Sequence, residues 1–251
     1  MKTLQEKAKW LFEKMAFNYQ PIGLMMADKM PEGAVSLKKK GNGCIASLIF
    51  LAAKGKTVAI DRDSTGYACS TFFLGYSDWI FTGIEYFLAH SPIPIGLECE
   101  RFVQKPKIAK EFVRRLVPEK LEERTYVFKP FASFTAYEEP EVVIFFANPD
   151  QMSALVYLVH YAHPFDNDRI KTVFASACMG MTTIPLRYAR AGEEKAFWGL
   201  HDIAVRPALP AELTTLAMPV PMFREICDMA PESFLKTEKW NKVLDRIKGK
   251  G

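Results

Sequence analysis

The spacing of apolar and polar positions predicts an ordered series of helices and strands. Near the start, apolar residues recur every three or four positions with charged residues between them, which predicts an amphipathic helix over about 2–17. Further helices are predicted at 44–53, 78–90, 106–117, 148–161, 184–191, 221–229 and 238–247. The clearest start signal is Asn148-Pro149-Asp150, because Asn can cap a helix, Pro suits its first position and Asp complements its dipole.

Short apolar runs between these helices predict strands. They fall at 22–27, 57–60, 126–128, 142–146, 172–175 and 196–200, whereas 211–218 fits either a strand or a helix. The run at 142–146 is apolar throughout, so we expect it at the centre of a sheet. The small and polar residues of 64–70 predict a loop.

This order of elements predicts an α+β (mixed α/β) fold with a central mixed sheet flanked by helices. We find no internal repeat, low-complexity segment or long linker, so a single domain over 1–251 is expected. The N-terminal helix (about 2–17) and the C-terminal helices (about 221–247) should pack on that domain.

Composition and charge exclude several classes of protein. The chain is 49% hydrophobic and 25% charged with a net charge of +4, which is typical of a folded domain and too mild for a nucleic-acid binder. The basic run at 38–40 is interpreted as a solvated loop. The longest apolar stretch, 44–53, is about half a membrane span, and the first residues lack a secretory pattern. We therefore expect a cytoplasmic protein that contacts neither membrane nor nucleic acid.

The five cysteines are odd in number and widely spaced, which favours reduced thiols in the cytosol and gives no zinc signature. Cys44 lies at a predicted helix start, where exposed N–H groups favour a thiolate. Cys178 follows a predicted strand among small residues, and Cys69 lies in a loop beyond another strand. These three thiols are candidate ligands for a cofactor or metal, although packing as small apolar residues explains each of them as well.

Charged residues at predicted strand ends form a second group of candidates. Asp61 and Arg62 follow the strand at 57–60, while His201 and Arg206 follow the strand at 196–200. The two arginines could bind an anionic ligand, and internal salt bridges would explain them equally well. A metal site at the histidines of 160–163 is also open, but histidines at a helix end are the simpler interpretation.

Four stretches carry a resemblance to a known family. They are Gly55-Lys-Thr-Val-Ala-Ile-Asp61-Arg62, Gly83-Ile-Glu-Tyr-Phe-Leu88, the segment from Glu139 to Leu155 that contains Asn148-Pro149-Asp150-Gln151, and Gly199-Leu-His-Asp202-Ile-Ala-Val-Arg206-Pro207. With Val220-Pro-Met-Phe223 they resemble the domain-of-unknown-function 169 family of bacteria and archaea, over about residues 43–223. The resemblance implies a prokaryotic protein with no established activity.

The resemblance also bears on the cysteines. It implies that relatives carry cysteines matching Cys44 and Cys178, and a Cys- and Gly-rich loop after the Asp-Arg pair. This chain has only Cys69 and Gly66 in that loop, so a metal or iron–sulfur site built there would depend on Cys69 alone.

Three functional interpretations stay open. The first is a small-molecule or cofactor-binding protein, with redox chemistry open to it, whose site is lined by Cys44, Cys69 and Cys178, with Asp61, Arg62, His201 and Arg206 nearby. The second is a thiol-dependent enzyme with Cys178 as nucleophile and His201 as base. The third is a homodimeric interaction protein, with structural cysteines and a dimer face formed by the residues Met222, Phe223 and Trp240.

Overall fold

The computed structural model describes residues 2–37, 43–89, 98–116, 118, 120, 124–135, 137–172, 174 and 176–249. The basic run at 38–40 and the first two residues of the turn at 41–43 lie outside the described residues. Residues 90, 117, 173 and 175, which belong to two predicted helices and one predicted strand, also lie outside the described residues.

The described residues form seven strands and ten α-helices. The strands are β1 (Ile22–Ala27), β2 (Val58–Ile60), β3 (Thr125–Pro130), β4 (Val142–Ala147), β5 (Ile170–Lys171), β6 (Ala196–Gly199) and β7 (Thr214–Pro219). The helices are α1 (Leu4–Met15), α2 (Ile45–Ala53), α3 (Ala68–Phe73), α4 (Ile84–Leu88), α5 (Pro106–Arg115), α6 (Pro149–Val159), α7 (Ala177–Met181), α8 (Thr183–Ala191), α9 (Val220–Met229) and α10 (Glu238–Ile247).

The strands form one mixed sheet in the order β2-β3-β1-β4-β7-β6-β5. All neighbouring strands pair antiparallel except β5 and β6, which are parallel. The strand predicted at 142–146 is confirmed as β4 and holds the central position. The predicted α+β class, with a mixed sheet flanked by helices, is likewise confirmed.

The central strand supplies both cores because successive side chains of a strand point to opposite faces. Val142, Ile144 and Phe146 enter one buried cluster, which also holds α2 residues and Cys178. Val143 and Phe145 enter the cluster on the opposite face, with residues of α1, α6, α9 and α10. We call the first the α2–α7 face and the second the α1–α10 face.

Local signals explain the helices that were predicted most closely. The Asn148 side chain accepts a hydrogen bond from the Gln151 amide at 2.9 Å, and the Gln151 side chain accepts one from the Asn148 amide at 3.0 Å. This capping box satisfies amides that would otherwise lack partners at the start of α6. Gln151 also donates from Nε2 to the Ala16 carbonyl at 2.8 Å, which ties α6 to the end of α1.

Three local predictions were wrong. Instead of a helix over 78–90, the structure has only α4, because Gly83 at its N-cap has a φ of +91°, which is not helical. The predicted loop at 64–70 contains the start of α3. Strand β5 lies at Ile170–Lys171, where it pairs with Ala196 and Phe197, and the described residues Thr172 and Phe174 of the predicted strand lie outside it. The ambiguous segment at 211–218 is strand β7, held between β4 and β6.

The residues proposed for a dimer face are not on the surface. Met222 and Phe223 are fully buried and Trp240 is 4% exposed, all within the core of the α1–α10 face. The apolar side of the terminal helices covers the sheet of its own chain, so these residues cannot supply an exposed interface.

Among the described residues, no helix combines the length and the apolar character needed to cross a membrane.

Candidate functional site

Three short helices bring together cysteines that are far apart in the sequence. Cys44 is the N-cap of α2, Cys69 lies in α3 and Cys178 lies in α7. Both α2 and α3 pack against α7. The three thiols are close enough to affect one another electrostatically, because a thiolate at Cys44 or Cys69 raises the pKa of Cys178.

Cys178 is the innermost of the three. Its sulfur lies 3.2 Å from Ser176 Oγ, and the Ser176 side chain also caps α7 by accepting from the Met179 amide at 3.3 Å. Burial raises the pKa of the Cys178 thiol far above its ordinary value, and the neighbouring thiols add to that effect. The buried position of Cys178 thus favours the neutral thiol over the thiolate.

Cys69 and Cys44 lie nearer to the surface. Burial is the main cause that raises the pKa of Cys69, and charge at Cys44 or Glu100 raises it further. Cys44 has an extended backbone before the first turn of α2 and makes no side-chain capping bond. Ser47 follows three residues later, and its buried Oγ has no hydrogen-bond partner among the described residues.

A cavity of about 300 Å³ lies next to Ser176, and none of its described lining residues is a cysteine. Its apolar wall includes the rings of Phe73, Phe102, Phe112 and Phe174, and the centroids of the last two are 5.0 Å apart. Ser176, the hydrogen-bond partner of Cys178, lines the same cavity. The volume is at the lower end of the range for ligand pockets.

Two carboxyl groups, those of Glu100 and Asp202, line this cavity. Burial and the charge of Asp202 raise the pKa of Glu100 to about 7. Burial also raises the pKa of Asp202, although its oxygens accept from the amides of Ala177 at 3.3 Å and Ala204 at 3.1 Å, which opposes the rise. We call Cys44, Cys69, Cys178, Glu100 and Asp202 the thiol–carboxyl cluster.

The sheet explains why Asp202 meets α7. Because β5 and β6 are parallel, their carboxyl ends lie at the same edge of the sheet. The chain after β5 leads to Ser176, and the chain after β6 leads to Asp202, so the two arrive together. The Ala177–Asp202 hydrogen bond joins them.

Asp61 and Arg62 follow β2, whose direction is opposite to that of β6, so they begin at the other edge of the sheet. Asp61 accepts from the Asp63 amide at 3.0 Å, and Arg62 donates to the Tyr76 carbonyl at 2.9 Å. The Asp61 contact is local, whereas the Arg62 contact ties the segment after β2 to Tyr76, which follows α3.

His201 and Arg206 have backbone partners of their own. His201 lines the cavity, and its Nε2 lies 3.1 Å from the Trp198 carbonyl oxygen. Arg206 donates to the carbonyls of Leu213 and Ala211, which braces the loop before β7. These contacts give Arg206 a structural role in that loop.

Glu100 is the site residue that the sequence interpretation missed. It lies in an irregular segment after a Pro-rich stretch, and its backbone amide donates to the Phe87 carbonyl at 2.9 Å. Nothing in its neighbours along the chain distinguishes it from a surface acid. Only the folding of this segment against α4 carries it into the cavity.

A separate cluster has the spacing of a metal site. Within the described residues, only His163, Glu194 and Glu225 bring three possible ligand atoms within 4.8 Å of one another. The guanidinium of Arg169, 3% exposed, pairs with Glu194 at 2.9 Å and Glu225 at 2.7 Å. The Arg169 guanidinium thus already supplies a positive charge to the two carboxylates. The thiols of the thiol–carboxyl cluster are spaced too widely to coordinate one ion as they stand.

Comparison with known proteins gives one match. The family model described as uncharacterised ArCR, DUF169, matches residues 11–229, which is wider than the resemblance seen in the sequence. No curated protein and no solved structure is similar to the chain.

Proposed function

The chain belongs to the DUF169 family, and we propose that it is a small-molecule or cofactor-binding protein. Its site would be the thiol–carboxyl cluster together with the adjoining cavity. The observation that carries the proposal is the convergence of Cys44, Cys69 and Cys178, from three separate helices, next to a cavity lined by four further ionisable residues, Glu100, Arg101, His201 and Asp202.

The energetic cost of this arrangement supports a binding role. Burial raises the pKa of Glu100 and of Asp202, so a carboxylate at either position is less stable than in water, and a well-packed apolar core would avoid that cost. Perturbed ionisable groups in a cavity are more frequent at functional sites than elsewhere in proteins. A bound ligand that pairs with these groups would offset the cost.

A thiol-dependent enzyme is the second candidate, and the geometry favours it less. Nucleophilic cysteines are thiolates in electropositive and partly exposed surroundings. Cys178 is buried, its pKa is raised, and its hydrogen-bond partner is Ser176. His201, the expected base, bonds instead to the Trp198 carbonyl.

The unpaired thiols of Cys44, Cys69, Cys178 and Cys227 are consistent with a reducing compartment. We therefore infer a cytoplasmic setting, and the family resemblance suggests a prokaryotic source.

The test is to isolate the protein without oxygen and to identify what it retains. Native and denaturing mass spectrometry would detect a bound molecule, and elemental analysis with a visible spectrum would detect a metal or an iron–sulfur group. We expect an additional bound mass in the unmodified protein. Cys44→Ser, Cys69→Ser and Cys178→Ser should each lose most of it, since each removes a thiol from the site.

Cys227→Ser is the matched control. Cys227 is also a buried thiol with a raised pKa, but it belongs to the core of the α1–α10 face. It should keep the bound mass. A native protein with no added mass, metal or chromophore, or an equal loss in Cys227→Ser, would contradict the proposal.

A further inference from the structure

The cavity lining carries two acidic residues, Glu100 and Asp202, and two basic residues, Arg101 and His201. Glu100 and Asp202 both line it, and Asp202 is engaged by the amides of Ala177 and Ala204. No described side chain donates a hydrogen bond to the Glu100 carboxyl. Glu100 is thus the acidic group of the cavity that is left available to a ligand.

The two basic residues of the cavity do not neutralise this carboxyl. Arg101 and His201 line the cavity but are exposed, and His201 uses Nε2 on the Trp198 carbonyl. Burial and Asp202 are the causes that act on the pKa of Glu100, and both raise it. A nearby guanidinium or imidazolium would lower it.

The walls of the cavity suit a ligand that is positively charged and partly apolar. Four phenylalanine rings contribute to the lining, and the face of an aromatic ring attracts a cation. The apolar walls also favour a hydrophobic body. An anionic ligand would instead add a third negative charge beside Glu100 and Asp202, which is unfavourable in a poorly solvated space.

We propose that the cavity binds a compact hydrophobic amine, with its ammonium group between the carboxyls of Glu100 and Asp202 and its apolar body against the phenylalanine rings. This rests on the proposed binding function and names the class of ligand. Ser176 lines the cavity and contacts the Cys178 sulfur, so it connects the ligand space to the thiols.

The test compares three probes of nearly equal size and different charge. They are 2-phenylethylamine, 2-phenylethanol and phenylacetate, titrated at a mildly alkaline pH where Glu100 is ionised. NMR shifts of the cavity residues Val103 and Ile203 report binding. We expect the amine to bind about tenfold more tightly than the alcohol, because only the ammonium group can pair with the ionised carboxyl. Phenylacetate should bind more weakly than either.

Glu100→Gln keeps the shape of the side chain and removes its charge. It should reduce the affinity for the amine to about that for the alcohol and leave the affinity for the alcohol unchanged. Glu232→Gln is the control, because Glu232 is exposed and pairs with Lys236 on the surface. It should keep the preference for the amine.

The comparison of probes on the unmodified protein decides the matter even if a variant fails to fold. Equal affinity for amine and alcohol, or a preference that survives in Glu100→Gln, would overturn the amine inference and leave the proposed binding function standing. No shift at Val103 and Ile203 with any probe would also overturn the inference. The proposed function is then decided separately, by the cysteine variants and their bound mass.

Discussion

Gly180 shows how one residue sets the position of the candidate site. It lies in α7, two residues after Cys178, and an added Cβ would be 2.6 Å from the Phe197 ring of β6. Because glycine has no Cβ atom, α7 can approach β6 closely at this position. The distance between α7 and the sheet in turn fixes where the Cys178 thiol and the Ser176 hydroxyl lie.

We expect Gly180→Ala to lower the free energy of unfolding by about 1–3 kcal/mol, since the added methyl group overpacks a rigid core. Chemical denaturation measures the loss. In a double-mutant cycle, Phe197→Leu should relieve part of it, because a smaller side chain leaves room for the new methyl group. Strictly additive costs, or no loss in Gly180→Ala, would show that α7 can shift freely.

At the scale of elements, local chemistry explains what the sequence could predict. Helices α6 and α10 were predicted closely because caps and apolar spacing are short-range signals. The length of α4 was not, since the residues before Gly83 have helical spacing but a loop backbone. β5 was misplaced because its position depends on pairing with β6, which comes about 25 residues later along the chain.

An ion-pair network around the buried Arg169 ties β5 to α9. Arg169, just before β5, bonds to Glu194 before β6 and to Glu225 in α9, and His163 Nε2 lies 2.6 Å from Glu225. The guanidinium is 3% exposed, so it is desolvated and depends on these partners. The network joins the end of the sheet to the helices of the α1–α10 face.

We expect Arg169→Met to lower the free energy of unfolding by about 1–3 kcal/mol, because it removes the counter-charge of Glu194 and Glu225, whose side chains are 53% and 29% exposed. Lys7→Met is the matched control. Lys7 pairs with Asp228 of α9 at 2.5 Å, but that pair is exposed, so its loss should cost about 0–1 kcal/mol. Equal losses in the two variants, measured by denaturation, would mean that burial does not strengthen the network.

At the scale of the whole molecule, the thiol–carboxyl cluster is a product of topology. Its members come from segments near residues 44, 69, 100, 178 and 202, and no spacing in the sequence links them. The sequence could point to Cys44, Cys69 and Cys178 as chemically interesting residues. It could not indicate Glu100, or that β2 and β6 run in opposite directions and so separate Asp61 from Asp202.

The cavity also makes the stability of the whole molecule depend on pH. The pKa of Glu100 is about 7 in the folded state and about 4.3 in an unfolded chain, so the folded state binds the proton more tightly. The resulting stabilisation is fully present below the unfolded value and is lost as the pH rises through about 7. Because the Glu100 carboxyl is partly exposed to solvent, the magnitude of this stabilisation is reduced.

Glu100→Gln removes this titration. We therefore expect the variant to gain stability relative to the unmodified protein between about pH 5 and about pH 8, as measured by denaturation at each pH. Burial is the main cause of the raised pKa of Asp202, and that burial is kept in the variant. Glu232→Gln should show no such change, because its carboxyl is exposed. If the stability of Glu100→Gln followed that of the unmodified protein in parallel over this range, the Glu100 carboxyl would be as well solvated in the folded protein as in the unfolded chain.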